Sequence, residues 1–250
     1  MIRYLRAEHL KFKKSFSRKM LLVVPVLVLL FSFFMNPMYT VTNTFNWWSI
    51  FFMPLVIALL SGLSHQKEER SIGYNRIFSL PVSLSKVWYA KVIVIAGYTL
   101  GMLIFFELIL LLFQIVMPIG GQWSNTLLAV GLLWLGTLWQ IPFCLWLARK
   151  WGLVTALLVN AVGGIGLGTY LAPLPIWWIN PWSWAIRMMC PTIGVHPNGV
   201  PLALGDALWN PAVISIGAPL ALVLFALVLL WTGSAFAGVA RSSRMQTEVN

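Results

Sequence analysis

The sequence predicts an all-α polytopic membrane protein with six transmembrane helices. Three observations carry this reading. Of the 250 residues, 60% are hydrophobic and 9% charged, against roughly 25% charged residues in soluble domains. Apolar runs cover residues 20–35, 47–64, 92–117, 127–148, 153–172 and 211–236, most of them close to the ~20 residues that span a bilayer as helix. The basic residues sit almost entirely between alternate runs. Of 17 cations, seven precede the first run (Arg3, Arg6, Lys11, Lys13, Lys14, Arg18, Lys19), five lie at 64–91, two are Arg149 and Lys150, and two are Arg241 and Arg244. Arg187 alone remains for the other side. This is the positive-inside pattern, with both termini in the cytoplasm. The net charge of +11 is therefore topological, and nucleic acid is excluded as a partner.

Residues 1–19 read as a helix lying on the membrane surface. Ile2, Leu5, Phe12 and Phe16 recur at helical spacing along one narrow face, with most of the cations elsewhere. His9 shares that face as an interfacial residue. A basic start followed by an apolar run imitates a signal peptide, but no small-x-small cleavage pattern follows, since the chain continues MNPMYTVTN. Residues 20–35 are thus an uncleaved first span. Residues 36–46 form a short uncharged outer loop, and Trp47 and Trp48 mark the membrane interface where the second span begins.

Residues 65–91 form the longest polar interruption. Lys67, Glu68, Glu69 and Arg70 lead to Gly73, then to an apolar patch of Ile77, Phe78 and Leu80 that Pro81 halts, and Ser83 is placed to cap the next helix. Two readings stand: a short amphipathic helix that docks a cytosolic partner, or a solvated basic loop that only sets orientation.

The third span carries Gly97 and Gly101 at small-xxx-small spacing, which allows close helix approach. It also carries Glu107. An acid at membrane depth marks a functional site, or it is a structural glutamic acid bonded to a neighbour, for example near Gln114. The fifth span holds Gly163, Gly164, Gly166 and Gly168. No Lys-Ser/Thr follows them, so they serve helix packing and not phosphate binding. Residues 173–210 form an outer segment with six prolines and with Trp177, Trp178, Trp182, Trp184 and Trp209, but only Arg187 and Asp206 as charges. It reads as short re-entrant or interfacial helices before the last span, serving either as an aromatic anchor or as an exit for an amphiphilic substrate. Cys144 and Cys190 fall toward opposite faces, so no disulfide is expected.

The catalytic motifs of metalloproteases, serine hydrolases and nucleotide-binding loops are not found, and no cofactor is expected in this chain. The order of elements then becomes informative. A basic surface helix, short spans, and a first cytosolic loop with an acidic pair, a glycine, Leu-Pro-Val-Ser and lysines resemble the ABC-2 type permease subunits of ATP-binding-cassette exporters. More narrowly, RAEHLKFKKSF (6–16), NWWSIFFMPLVIALLSGLSHQKEER (46–70), LPVSLSKVWYAK (80–91) and INPWSWAIRMMCPTIGVHPNG (179–199) are similar to the permeases of lantibiotic self-immunity transporters. The resemblance covers essentially the whole chain.

It implies that residues 1–19 are an elbow helix and that the 65–91 loop is a coupling helix. Glu69, Gly73, Arg76, Ile77, Phe78, Leu80 and Pro81 would then seat in a cytosolic ABC ATPase that holds the ATP and Mg. It further implies a second permease subunit, identical or homologous, in a bacterial cell membrane. The cargo would be an amphiphilic peptide, with Glu107, Trp177, Trp178, Trp182 and Trp184 as candidates for its path or exit. The alternatives are an ABC-2 permease for another drug or lipid, and a membrane enzyme or sensor scaffold.

Overall fold

The computed structural model describes residues 1–13, 16–70, 83–117 and 121–249, with side chains to residue 238 apart from those of residues 13, 16 and 17. It is helical throughout. The β pairing among the described residues is one isolated bridge between Val195 and Pro201. In chain order the helices are α1 (Ile2–Lys13), α2 (Phe16–Met35), α3 (Thr40–Trp47), α4 (Met53–Arg70), α5 (Leu84–Val116), α6 (Trp123–Thr137), α7 (Gln140–Ala161), α8 (Thr169–Leu171), α9 (Pro181–Met189) and α10 (Ala212–Val249). Among the described residues, five helical stretches are long and apolar enough to cross a membrane: Arg18–Met35, Pro37–Arg70, Leu84–Val116, Trp123–Leu171 and Ala212–Gly238.

The 49-residue stretch from Trp123 to Leu171 is not a single rod. Gly152 has φ 88° and ψ 171°, a conformation open essentially to glycine alone, and the chain turns back there. Asn160 Nδ2 lies 2.9 Å from Cys144 Sγ across a separation of 16 residues. A straight helix would hold them about 24 Å apart. A lesser break at Leu138–Trp139 has its cause in Pro142. Lacking an N–H, Pro142 cannot bond the Leu138 carbonyl, which accepts from Ile141 N instead at 3.1 Å.

Several boundaries differ from the sequence expectation. The helix of the first span begins at Phe16 and already carries Arg18 and Lys19. The expected outer loop at 36–46 is mostly helix. Its threonines satisfy their hydroxyls on the backbone behind them, Thr40 on the Pro37 carbonyl at 2.8 Å and Thr44 on the Thr40 carbonyl at 2.6 Å, so polar residues sit in a helix without loss. Trp48 is thereby carried into the core, fully buried, and is no interfacial anchor. Ser83 occupies the cap position of α5, but its side chain makes no capping bond.

α4 is the buried centre. It packs along both legs of the α7 hairpin, and Val56, Ile57 and Leu60 are shut away from the surface. The faces left outward on α2, α5 and α10 are aliphatic, among them Leu22, Leu27, Ile104, Leu108, Leu112, Val223 and Leu227. Such faces suit contact with acyl chains.

Two π-helical segments meet at the middle of this core. Trp48–Phe52 joins α3 to α4, and Val162–Gly168 joins α7 to α8. Pro54 offers no N–H to the Ile50 carbonyl, and the turn before it widens. Gly164 sits against that carbonyl, so closely that a Cβ there would lie 2.3 Å from Ile50 O. Gly163 accommodates the Trp182 indole in the same way, and Gly168 faces Ile186. Three of the four glycines singled out in the fifth span are thus packing positions. Gly166 is not, since a methyl placed on it would find its nearest neighbour 4.0 Å away.

Gly164→Ala should therefore lower stability by about 1–3 kcal/mol, the usual cost of overpacking, because backbone stands in the way. Gly166→Ala should be near neutral. Thermal unfolding of both variants in the same detergent makes the comparison, and equal losses would contradict this packing.

Candidate functional site

α1, α4 and α5 converge at the end of the bundle that also carries Arg149 and Lys150. Four charged side chains close a ring there. Lys11 Nζ lies 2.5 Å from Glu8 Oε1 and 2.6 Å from Glu68 Oε1. Lys91 Nζ lies 3.1 Å from Glu8 Oε2 and 2.6 Å from Glu68 Oε1. Glu8, Glu68 and Lys91 are 3%, 4% and 1% exposed. An ammonium has three protons to donate, and Lys91 gives its third to Ser64 Oγ at 3.2 Å. Two positive and two negative charges alternate around the ring, so its formal charge is zero.

The local sequence explains the placement. Glu8, Lys11 and Phe12 lie three and four residues apart and share the face of α1 that turns inward, with Phe12 entering the core. Lys67 donates to the Lys11 carbonyl, which serves the open C-terminal turn of α1 with a cation. His9 stacks on Tyr98 with ring centroids 5.7 Å apart, and its Nδ1 is 3.1 Å from the Tyr98 hydroxyl. Burial by itself would lower the Lys11 pKa. The Glu68 and Glu8 carboxylates outweigh it and hold the ammonium above its ordinary value. Its contribution to stability is thus present at neutral pH and is lost only in strong alkali.

This ring ties α1 to both stems of the segment at 71–82. Of the residues expected to meet a partner, Glu69 is exposed on the last turn of α4, its Oε2 3.4 Å from His65 Nε2. Gly73, Arg76, Ile77, Phe78, Leu80 and Pro81 lie outside the described residues. Sequence reasoning noted Glu68 and counted Lys91 among the five cations at 64–91 but passed over Glu8. The available signal was an acid set among seven cations, in a chain with six acids altogether.

The remaining candidates do not gather in one place. Glu107 on α5 is buried, and its partner is not Gln114: Thr126 on α6 donates to Glu107 Oε1 at 2.6 Å. Trp177 and Trp184 are buried in a cluster with Trp139 and Val213, and Trp184 Nε1 donates to the Trp178 carbonyl at 2.8 Å. Trp182 is half-buried and donates to Asn160 Oδ1 at 3.1 Å, while Asn160 Nδ2 reaches the Pro54 carbonyl at 3.0 Å. Trp178, 52% exposed, is the one of these four indoles that faces outward. Arg187, on α9, is buried and donates to the Leu208 carbonyl at 2.9 Å. The outer segment is therefore largely packed protein. α9 lies against α6, α10 and the Val162–Gly168 turns.

The family model described as "ABC-2 family transporter protein" matches residues 4–166, more than half of the chain and all of the ring. The chain belongs to this family of membrane transport components, which implies an ABC ATPase as partner. No curated protein matches the chain. No solved structure matches it either.

Removing one member of the ring strands the others. Lys91→Met should cost about 3–5 kcal/mol, as for other buried pairs broken on one side, and adding Glu8→Gln should restore part of it by removing the surplus carboxylate. Thermal unfolding of the single and double variants checks this; a double variant no better than the single would speak against a neutral ring. For Glu107, Gln keeps the size and the acceptor that Thr126 uses. Glu107→Gln should retain most transport activity, and near-total loss at normal expression would assign the carboxyl a role in moving charge.

Proposed function

We propose that this chain is the permease subunit of an ATP-driven exporter that removes a lantibiotic or similar amphiphilic peptide from the membrane of the producing bacterium. The observation that carries the proposal is the ion-pair ring. Movement imposed on the loop at 71–82 by an ATPase would reach α4 and α5 at their ends and α1 through the ring, so three helices would respond as one body. The reversal at Gly152 divides the longest apolar stretch in two, which supports six crossings with both chain ends on the basic, cytoplasmic side. On this reading residues 1–19 act as the elbow and Ile77, Phe78 and Leu80 seat in the ATPase, which binds the ATP and Mg. A second permease subunit completes the pathway. The family model supports an ABC-2 transporter, and the lantibiotic cargo rests on the sequence resemblance alone.

The test is co-expression with the ATPase and second permease in a sensitive host. Growth inhibition is then measured across lantibiotics, unrelated cationic peptides and small hydrophobic drugs. Tolerance should rise toward one or a few lantibiotics, and protection confined to the small drugs would reject the peptide assignment. In the same cells Phe78→Asp with Leu80→Asp should abolish co-purification of the ATPase, since each large side chain withdrawn from a buried contact loses about 1.5–3 kcal/mol. Normal ATPase recovery would reject the docking role.

A further inference from the structure

A groove runs along the lipid-facing side of the bundle where α1 and α2 lie over α5. Its first part, about 460 Å³, is walled by Leu5, Ile93 and Val94 and bears Arg6 at its edge. Its second part, about 250 Å³, is walled by Leu21, Leu22 and Phe105 and bears Arg18. Gly97 and Tyr98 line both parts, so the two adjoin. The floor is the small-residue stripe that the sequence marked for helix contact. Among the described residues no helix fills it, because a methyl built on Gly97 or Gly101 would meet nothing within 4 Å.

Arg6 and Arg18 are exposed, and among the described residues no carboxylate pairs with either. Glu8 of α1 and the Glu68 it is tied to through the lysines are already committed to Lys11 and Lys91. The site therefore combines an apolar trough open to the bilayer with two guanidinium groups at its mouth that lack a counter-charge. One class of molecule offers both complements. Acyl chains fill the trough, and a headgroup phosphate accepts from the arginines, whose fork of N–H groups suits a phosphate. A cationic peptide has the wrong sign for this mouth. A second copy packed symmetrically over Gly97 and Gly101 would bring the same arginines toward each other.

We propose that this groove is a binding site for an anionic glycerophospholipid, held by Arg6 and Arg18 with its acyl chain over Gly97 and Gly101. The lipid adds to the contact that His9 and Tyr98 already make between α1 and α5. Surface helix and bundle are thus joined by protein charges on one flank and by lipid on the other.

Native mass spectrometry of the full chain, titrated separately with phosphatidylglycerol and phosphatidylcholine, tests the proposal. Phosphatidylglycerol adducts should survive at concentrations roughly thirtyfold lower than phosphatidylcholine adducts, the scale that two cations near an anionic lipid provide. Arg6→Gln with Arg18→Gln should abolish that preference, and Gly97→Leu should weaken binding of both lipids by filling the floor. Arg3→Gln with Lys19→Gln removes the same charge from exposed positions outside the groove and should leave the preference intact. Equal loss in that control would reduce the effect to diffuse surface charge and overturn the site. So would a wild-type chain without preference, or a Gly97→Leu variant that keeps its lipids while a dimer of the chain falls apart. Gly101→Leu supplies the same reading should Gly97→Leu fail to fold.

Discussion

Two carboxylates and the Lys91 ammonium shut away from water at the basic end, with the half-buried Lys11 ammonium beside them, can persist there only as a set. Charge transferred alone into a low-dielectric interior is prohibitively costly, and a pair repays that cost only with good geometry and no spare donors. The ring supplies the geometry. Glu68 Oε1 serves both lysines, Glu8 uses one oxygen for each, and Lys91 spends its third proton on Ser64. The consequence of that neutrality is fixed position: α1 cannot lift from the bundle without leaving Lys91 and Glu68 with unbalanced partners. Neighbouring contacts extend the same order. Trp88 on α5 donates to Thr232 on α10 at 3.0 Å and lies against Phe236, whose ring also receives the Arg149 guanidinium.

Deeper in the bundle the governing constraint is space. Prolines withhold backbone donors at Pro54 and Pro142, so the helices before them widen or break. Glycines at 163, 164 and 168 then let the resulting irregular surfaces approach. Asn160 binds this region together by touching three other segments, at Pro54, Cys144 and Trp182. A buried amide with its donors and acceptor engaged specifies one register among several that apolar packing alone would tolerate. α9 is held in place by that register, which explains why most of the outer segment's indoles are packed inward.

The transport reading and the lipid site follow from a single asymmetry. On one flank α1 is locked to the bundle by charge, and on the other, beyond its His9 contact with Tyr98, the groove over Gly97 stays open. α1 is fastened at the ends of α4 and α5 that flank the segment at 71–82.

The sequence by itself determined the class of protein. Composition, long apolar runs and the one-sided placement of Lys and Arg are sums over many residues, and sums survive errors at any single position. The packing role of three of the four fifth-span glycines was also legible, because glycines without a phosphate-binding lysine have little else to do at that depth, although Gly166 packs against nothing close. What only the tertiary structure decided depends on which residues meet across long separations. Glu8 and Lys91 are 83 residues apart, and no local pattern distinguishes an acid that closes a ring from one on a solvated face. Glu107 found Thr126 and not Gln114 because helix α6, and not the next turn of α5, passes in front of it. Gly97 and Gly101 carry the spacing of a packed interface yet lie open, since spacing records that close approach is possible and only the neighbours' positions record whether it occurs.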